Sequence, residues 1–275
     1  FGVKLPTEDI TIQWTISSEA LNIYNHAFGG TWGGRRASLH HNLFACNTGR
    51  NPSLGWGDLI DYRNNVVFNW RHRTCDGGAG DSLVNVVNNY YQPGPVTQKN
   101  TQHLICRPQH LEMHARSPLN GKWHVSGNFV AGYPEVSQYN WNGGVVFDDL
   151  PPEAINATMQ QVRVDEPFAA AAVRTQSAEE ARELVLSGAG ATLPRRDPVD
   201  ERVVAAVRSG KPSFGNGIIN DPAEVGGWPE YNSAEPPVDS DQDGMPDEWE
   251  RSFGFDSKDP KDGRKDHDED GYTNL

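Results

Sequence analysis

With 275 residues the chain has room for one large domain, or for one domain with a small module, and either buries a substantial core. Its 37 acidic against 24 basic side chains leave a formal net charge of -13, which argues against nucleic acid as a partner, and no stretch approaches the ~20 apolar residues of a membrane span. The basic residues are unevenly placed, because Arg35, Arg36, Arg50, Arg63, Arg71 and Arg73 gather in the first half; a local groove there leaves room for a polyanionic sugar.

Abundant glycine (28), proline (19) and tryptophan (8), with 22% charged residues, suit a turn-rich, secreted, extracellular fold. No signal peptide opens the sequence, which fits a mature or trimmed product. Three cysteines, Cys46, Cys75 and Cys106, match no zinc spacing. Buried free thiols are expected, with one disulfide as the alternative.

In chain order the first elements repeat. Thr11-Ile12-Gln13-Trp14-Thr15-Ile16 is followed by Leu39-His40-His41-Asn42-Leu43-Phe44, then Arg63-Asn64-Asn65-Val66-Val67-Phe68, Val87-Asn88-Asn89-Tyr90-Tyr91 and Ser126-Gly127-Asn128-Phe129-Val130. Asn42 and Asn65 lie 23 residues apart, Asn65 and Asn89 24, and Asn89 and Asn128 39, so one turn is loop-extended or additional. Periods of this size with β-branched and aromatic residues predict a parallel β-helix, in which each coil needs a neighbour to bury its inner face. An asparagine at one place in every coil stacks its amide on the next, so Asn42, Asn65, Asn89 and Asn128 read as a structural ladder. Alternation along the strand makes one of His40 and His41 a packing residue.

Beyond residue 150 the pattern turns helical. Ser177-Ala178-Glu179-Glu180 has capping-box form ahead of Ala181 to Leu186, and Asp197-Pro198 opens an apolar-periodic run to Val207. Two short helices are predicted, either capping the end of the solenoid or lying along its side. Pro236-Pro237 marks a boundary between a domain over 1–235 and a module over 236–275. Counting Asp239 as position 1 of that module puts carboxylates at 1, 3, 5, 9 and 12 and glycine at 6, the ligand plan of a small EF-hand-like calcium loop. Its ligands are Asp239, Asp241, Asp243, Met245 through its backbone, Asp247 and Glu250. Asp266, Asp268 and Asp270 restart the count. Calcium there is expected to be structural.

Thr11 to Leu21, Gly29-Gly30-Thr31-Trp32-Gly33-Gly34, Leu39-His40-His41-Asn42, Gly49-Arg50-Asn51-Pro52, Tyr62-Arg63-Asn64-Asn65-Val66 and Val87 to Pro95, in that order, resemble the pectate lyase family, polysaccharide lyase family 1. Leu193 to Asp197 and Val225 to Glu230 resemble the tail of its bacterial members, and the module resembles the thrombospondin type 3-like repeats of secreted bacterial enzymes. The resemblance implies an all-β, right-handed parallel β-helix, represented by its later coils. It also implies cleavage of α-1,4-linked galacturonan by β-elimination. Calcium bridges the uronate carboxylate to acidic residues and acidifies the C5 proton, an arginine removes that proton, and an unsaturated uronide leaves. The family's catalytic arginine follows the His-His-Asn strand in an Arg-x-Pro setting, which is Arg50 here.

An arginine with its ordinary pKa above ~12 is an unusual base. A metal that acidifies the carbon acid and a crowd of cations that disfavours the charged guanidinium make the role workable. The alternative role for Arg50 is a bidentate clamp on a carboxylate. The family's second arginine, five residues on, is replaced by Gly55. Its lysine of the preceding coil has no counterpart in Ile23 to Phe28, where His26 is the substrate-binding candidate, or else steadies a turn; neutral histidine holds an anion less well. Arg63 is a second substrate-binding candidate.

The family's calcium-binding aspartates lie in coils before the Thr-Ile-x-Trp strand, and this sequence begins at Phe1. Either the sequence is a fragment whose amino-terminal coils are absent or on a separate segment that completes the β-helix, or the site is built differently; the acidic polysaccharide is the other expected partner. Two rival functions remain: a non-catalytic, pectin-binding β-helix, and a glycoside hydrolase, which needs paired carboxylates around a water and finds no convincing pair beside the coil motifs.

Overall fold

The computed structural model describes residues 7–109, 121–147, 150–193, 195–232, 234–269 and 272–275. Its strands, in chain order, are β1 (Thr11–Gln13), β2 (Ile16–Ser18), β3 (Thr31–Gly34), β4 (Ala37–His40), β5 (Leu43–Ala45), β6 (Ser53–Gly57) and β7 (Leu59–Arg63). They continue as β8 (Val66–Phe68), β9 (Cys75–Gly77), β10 (Leu83–Val87), β11 (Tyr90–Gln92), β12 (Cys106–Pro108), β13 (Lys122–Ser126) and β14 (Phe129–Val130).

All neighbours pair in parallel and fall into three sheets. Sheet one is ordered β1-β4-β7-β10-β13, sheet two β2-β5-β8-β11-β14, and sheet three β3-β6-β9-β12. Each partner lies one coil away in sequence, as in Leu39↔Tyr62 and Tyr62↔Val86. This is the all-parallel β-solenoid that the repeat period predicts.

Between sheets one and two every coil bends through one residue of positive φ: Trp14, His41, Asn64, Asn88 and Gly127. Such a backbone costs a non-glycine residue roughly 1–2 kcal/mol, and in every coil but the first, where Thr15 follows Trp14, an asparagine comes next and secures it. Asn42 Nδ2 donates to Asn65 Oδ1 (3.0 Å), Asn65 Nδ2 to Asn89 Oδ1 (3.0 Å) and Asn89 Nδ2 to Asn128 Oδ1 (2.9 Å). The same oxygens accept the backbone N–H of the preceding rung. Asn128 donates in turn to Asn140, a fifth rung that lies outside the repeat pattern. All five asparagines are buried, so each amide finds the partners that burial demands.

Alternation along each strand sorts apolar residues to two faces. Trp32, Phe44, Tyr62, Val67, Trp70, Tyr91 and Trp123 fill the interior. Val136 of α1 (Pro134–Gln138), Trp141 and Val162 of α2 (Pro152–Val162) extend that cluster past the last coil and close its end. The two predicted helices, α3 (Ala178–Gly188) and α4 (Pro198–Ser209), lie instead along the outer face of sheet two, covering Leu43, Val66 and Phe68. The Ser177–Glu180 capping box forms at α3, and Asp197 caps α4. The capping helices α1 and α2 were not predicted: α1 is little more than one turn, and α2 starts without a side-chain cap although Ile155, Met159 and Val162 pack on the core at helical spacing.

All three cysteines are buried and free, which removes the disulfide alternative. Burial pushes their thiols up, Cys46 to about 12. The chain forms two compact units, one reaching to Pro229 and the other Glu230–Leu275, which contains α5 (Asp247–Phe253). Among the described residues no helix is long and apolar enough to cross a membrane.

Candidate active site

Arg50 sits in the short segment that leads into β6. Asn51 N–H donates to the Thr74 carbonyl (3.0 Å) and Ser53 is in register with Asp76, so the lead-ins to β6 and β9 run side by side. Arg50 adopts a left-handed backbone (φ 52°). Its carbonyl accepts from Gly30 N–H at 3.0 Å, and a Cβ on the neighbouring Gly29 would stand 2.8 Å from that same oxygen. Asn51 Nδ2 donates to the Arg73 carbonyl (3.0 Å), and Tyr62 Oη donates to the Asn51 carbonyl (3.1 Å). The strained residue is thus held from both neighbouring coils.

Four side chains converge on the ring of Phe28. Arg50 Cζ lies 4.5 Å from its centroid and Arg73 Cζ 5.3 Å. The His26 ring is tilted against it at 4.2 Å, and the His72 ring meets it edge-on at 6.2 Å. A negative ring face under two guanidinium groups is the geometry of cation–π attraction. Arg73 Nη1 is 2.8 Å from Oδ2 of the fully buried Asp76. The Arg50 guanidinium has no ion pair or hydrogen bond among the described residues.

The field around Phe28 is positive. Burial, then Arg73, Arg107 and Arg71, push the His72 imidazole down to about 4, which keeps it neutral near pH 7. Burial pushes the Asp76 carboxyl up against the pull of Arg73, the Ser53 hydroxyl, Arg107 and Arg50. Such a site attracts an anion in a chain whose overall charge is negative.

Of the residues singled out from sequence, Arg50 and His26 meet at Phe28. Arg63 does not join them. It lies on β7 in sheet one, where its Nε and Nη2 clamp the buried Asp61 and Nη1 donates to Thr175. His40 and His41 are both buried, with Nδ1 atoms 2.8 Å apart and Trp14 stacked on His41 at 4.5 Å. Phe28, His72 and Asp76 escaped the sequence reading, and Arg73 entered it only as one of the gathered arginines. The 23-residue offset that aligns Ser53 with Asp76 also aligns Arg50 with Arg73, a signal that the asparagine spacing already carried.

A cleft of about 1180 Å³ opens away from Arg50, between Trp14 and His41 on one side and residues 172–187 on the other. Glu179, Glu180 and Glu183 line it, a poor setting for a polyanion.

In the C-terminal unit, Asp239, Asp241 and Asp243 bring carboxylate oxygens together, and Asp243, Glu250 and Asp262 form a second such group. Glu250 is fully buried with neither carboxylate oxygen hydrogen-bonded, and Asp241 is unpartnered as well. Burial, then Asp241, Asp243, Asp262 and Asp247, push the Glu250 carboxyl up to about 7. Asp247 is turned to another use, accepting from Ser240 N–H (2.7 Å) and Oγ (2.8 Å) at the start of α5. Asp262, absent from the twelve-residue count, brings its carboxylate to Asp243 and Glu250. Met245 is buried and donates its N–H to Asp243. Asp266 and Asp268 are exposed, and Asp270 lies outside the described residues.

The fold and this site define a parallel β-solenoid with a cationic aromatic platform on one edge. No protein-family model matches the chain. It is similar to several fungal proteins named probable pectate lyase C. That of Aspergillus terreus is 31% identical over 266 residues, covering 93% of this chain and 56% of the relative. That of Aspergillus fumigatus is 30% identical over 281 residues, covering 100% and 60%. That of Emericella nidulans is 30% identical over 270 residues, covering 93% and 55%. The chain therefore spans little more than half the length of the curated relatives it matches.

Proposed function

We propose that this chain carries the base of a secreted polysaccharide lyase that cleaves α-1,4-galacturonan by β-elimination. The observation that carries the reading is Arg50, held on Phe28 with no carboxylate partner among the described residues, in a positive site on a solenoid related to named pectate lyases. Arg50, in its neutral form, takes the C5 proton. The electron pair left behind forms the C4–C5 double bond, the C4–O bond breaks, and the departing oxygen takes a proton from water. His26, exposed at the rim of the same ring, is suited to meet the sugar.

The calcium implied for this reaction does not fit the described residues around Arg50, which are cationic apart from the paired Asp76. The elimination is therefore assigned only to side chains. In the C-terminal unit the fit is good: Asp239, Asp241, Asp243, Glu250 and Asp262 offer hard oxygens, and the orphaned buried Glu250 needs a positive partner. Calcium held by these residues would supply charge neutralisation, a structural role.

The test is the rise in ultraviolet absorbance of unsaturated uronide from polygalacturonate. Arg50→Lys should cut turnover at least ~100-fold, as loss of a positioned base does. Pectin binding with no product, unchanged by Arg50→Ala, would instead select a non-catalytic binding protein.

A further inference from the structure

The cleft that opens away from Arg50 is built from parts the elimination does not use. One wall is the bend between sheets one and two, where Trp14 stacks on His41 with ring centroids 4.5 Å apart. Helix α3 steadies that stack, since a Cβ on Gly188 would stand 3.0 Å from Trp14 Cζ3. Burial holds both imidazoles below their ordinary value, His40 at about 4, so both are neutral near pH 7. Gln176 Oε1 accepts from His41 Nε2 (2.9 Å), which leaves His41 Nδ1 to accept from the Nδ1–H of His40 (2.8 Å). The His40 Nε2 therefore carries a free lone pair. His40 is only 9% exposed, it lines the cleft, and its Nε2 has no hydrogen-bond partner among the described residues.

The charges of the opposite wall are largely spent inside the protein. Glu180 accepts from Ser177 N–H (3.1 Å) and Oγ (2.9 Å), and Glu183 pairs with Arg182 and Arg208. Glu179 and Arg174 are exposed, and neither has an ion pair or hydrogen bond among the described residues. One free acid beside one free base creates no demand for a charged ligand. No three metal-ligating side chains gather there among the described residues, which sets a metal ion aside. What the cleft offers is a buried acceptor, a carboxylate, a guanidinium and the exposed amide of Gln13 around an aromatic ring. Mixed donors and acceptors beside apolar surface match a molecule with hydroxyls at its edge and C–H groups on its faces, which is a sugar ring. The volume of about 1180 Å³ exceeds the roughly 300–1,000 Å³ of a pocket for one small molecule and suits several linked rings.

We propose that this cleft binds a neutral oligosaccharide, with His40 and Glu179 accepting from its hydroxyls and Trp14 meeting its C–H surface. The site is separate from the Phe28 platform and stands whether or not Arg50 removes a proton. It gives the chain a hold on uncharged sugar that a cationic platform does not provide.

The experiment is calorimetric titration of the full chain with galactotetraose and with cellotetraose, two uncharged chains that differ in configuration at one carbon of each ring. At least one should bind, and saturating trigalacturonate should not displace it. Glu179→Ala, a change at an exposed position, should weaken that binding about tenfold. His40→Phe, which keeps a ring in place and removes the acceptor, should weaken it by as much. No binding of either tetrasaccharide at millimolar concentration overturns the proposal. So does displacement by trigalacturonate, or an affinity within about twofold of wild type in either folded variant. If His40→Phe does not fold, Glu179→Ala decides alone.

Discussion

Replacing Asn65 by alanine tests how much the internal ladder contributes. Its Oδ1 accepts from Asn42 N–H (2.9 Å) and Nδ2 (3.0 Å), while its Nδ2 donates to the Leu39 and Arg63 carbonyls and to Asn89 Oδ1. Alanine strands the buried Asn42 N–H, removes a bond from the Leu39 carbonyl, and leaves a void the size of an amide. At about 1–3 kcal/mol per stranded buried group, the loss is about 3–5 kcal/mol, a large share of the roughly 5–15 kcal/mol that holds a domain together. Asn42 ends the ladder, since among the described residues its Oδ1 accepts only from the partly exposed Thr15 N–H (3.0 Å). Asn42→Ala should therefore cost less, by about 1–2 kcal/mol. Urea unfolding followed by the fluorescence of the buried Trp32, Trp70 and Trp123 reads both. A cost below about 1 kcal/mol for Asn65→Ala, or equal costs at the two positions, would refute the reasoning.

The buried His40 and the half-buried His72 make the solenoid acid-sensitive. His40 and His72 are both held down to about 4, below the ordinary value near 6.5 that they regain on unfolding. The unfolded chain takes the proton first, so stability present above pH ~6.5 is lost as pH falls towards 4, by up to about 3 kcal/mol for each. His72→Gln should flatten that limb in denaturant titrations at stepped pH, and an unchanged slope counts against it. In the C-terminal unit, chelator should expose Glu230–Leu275 to protease and calcium should protect it, with Glu250→Gln abolishing the difference. Identical digestion with and without calcium would remove the cation from this unit.

The solenoid was legible because its repeat is one-dimensional: the asparagines at 42, 65, 89 and 128 carry the period, and the period dictates which residues stack. Helices α3 and α4 were legible through their caps, but the place they occupy was not. It depends on the outward residues of β5 and β8, which a period alone does not mark as uncovered. Arg63 looked like a groove residue because it follows the same motif as its neighbours, yet Asp61, two residues earlier on the same face of β7, claims its guanidinium. In the acidic module the spacing named Glu250 as a ligand. Only the folded chain showed Asp262 reaching the same point and Asp247 committed to Ser240.

By itself the sequence determined the coil, the ladder and the acidic loop, since each follows from local spacing or a repeated register; Arg50 was marked out only by the family resemblance. The tertiary structure decided which side chains share a space. Phe28, Arg50, Arg73 and Asp76 come from three successive coils, and what joins them is the lateral stacking of parallel strands, which brings residues 23 apart into contact and leaves no mark on either one alone.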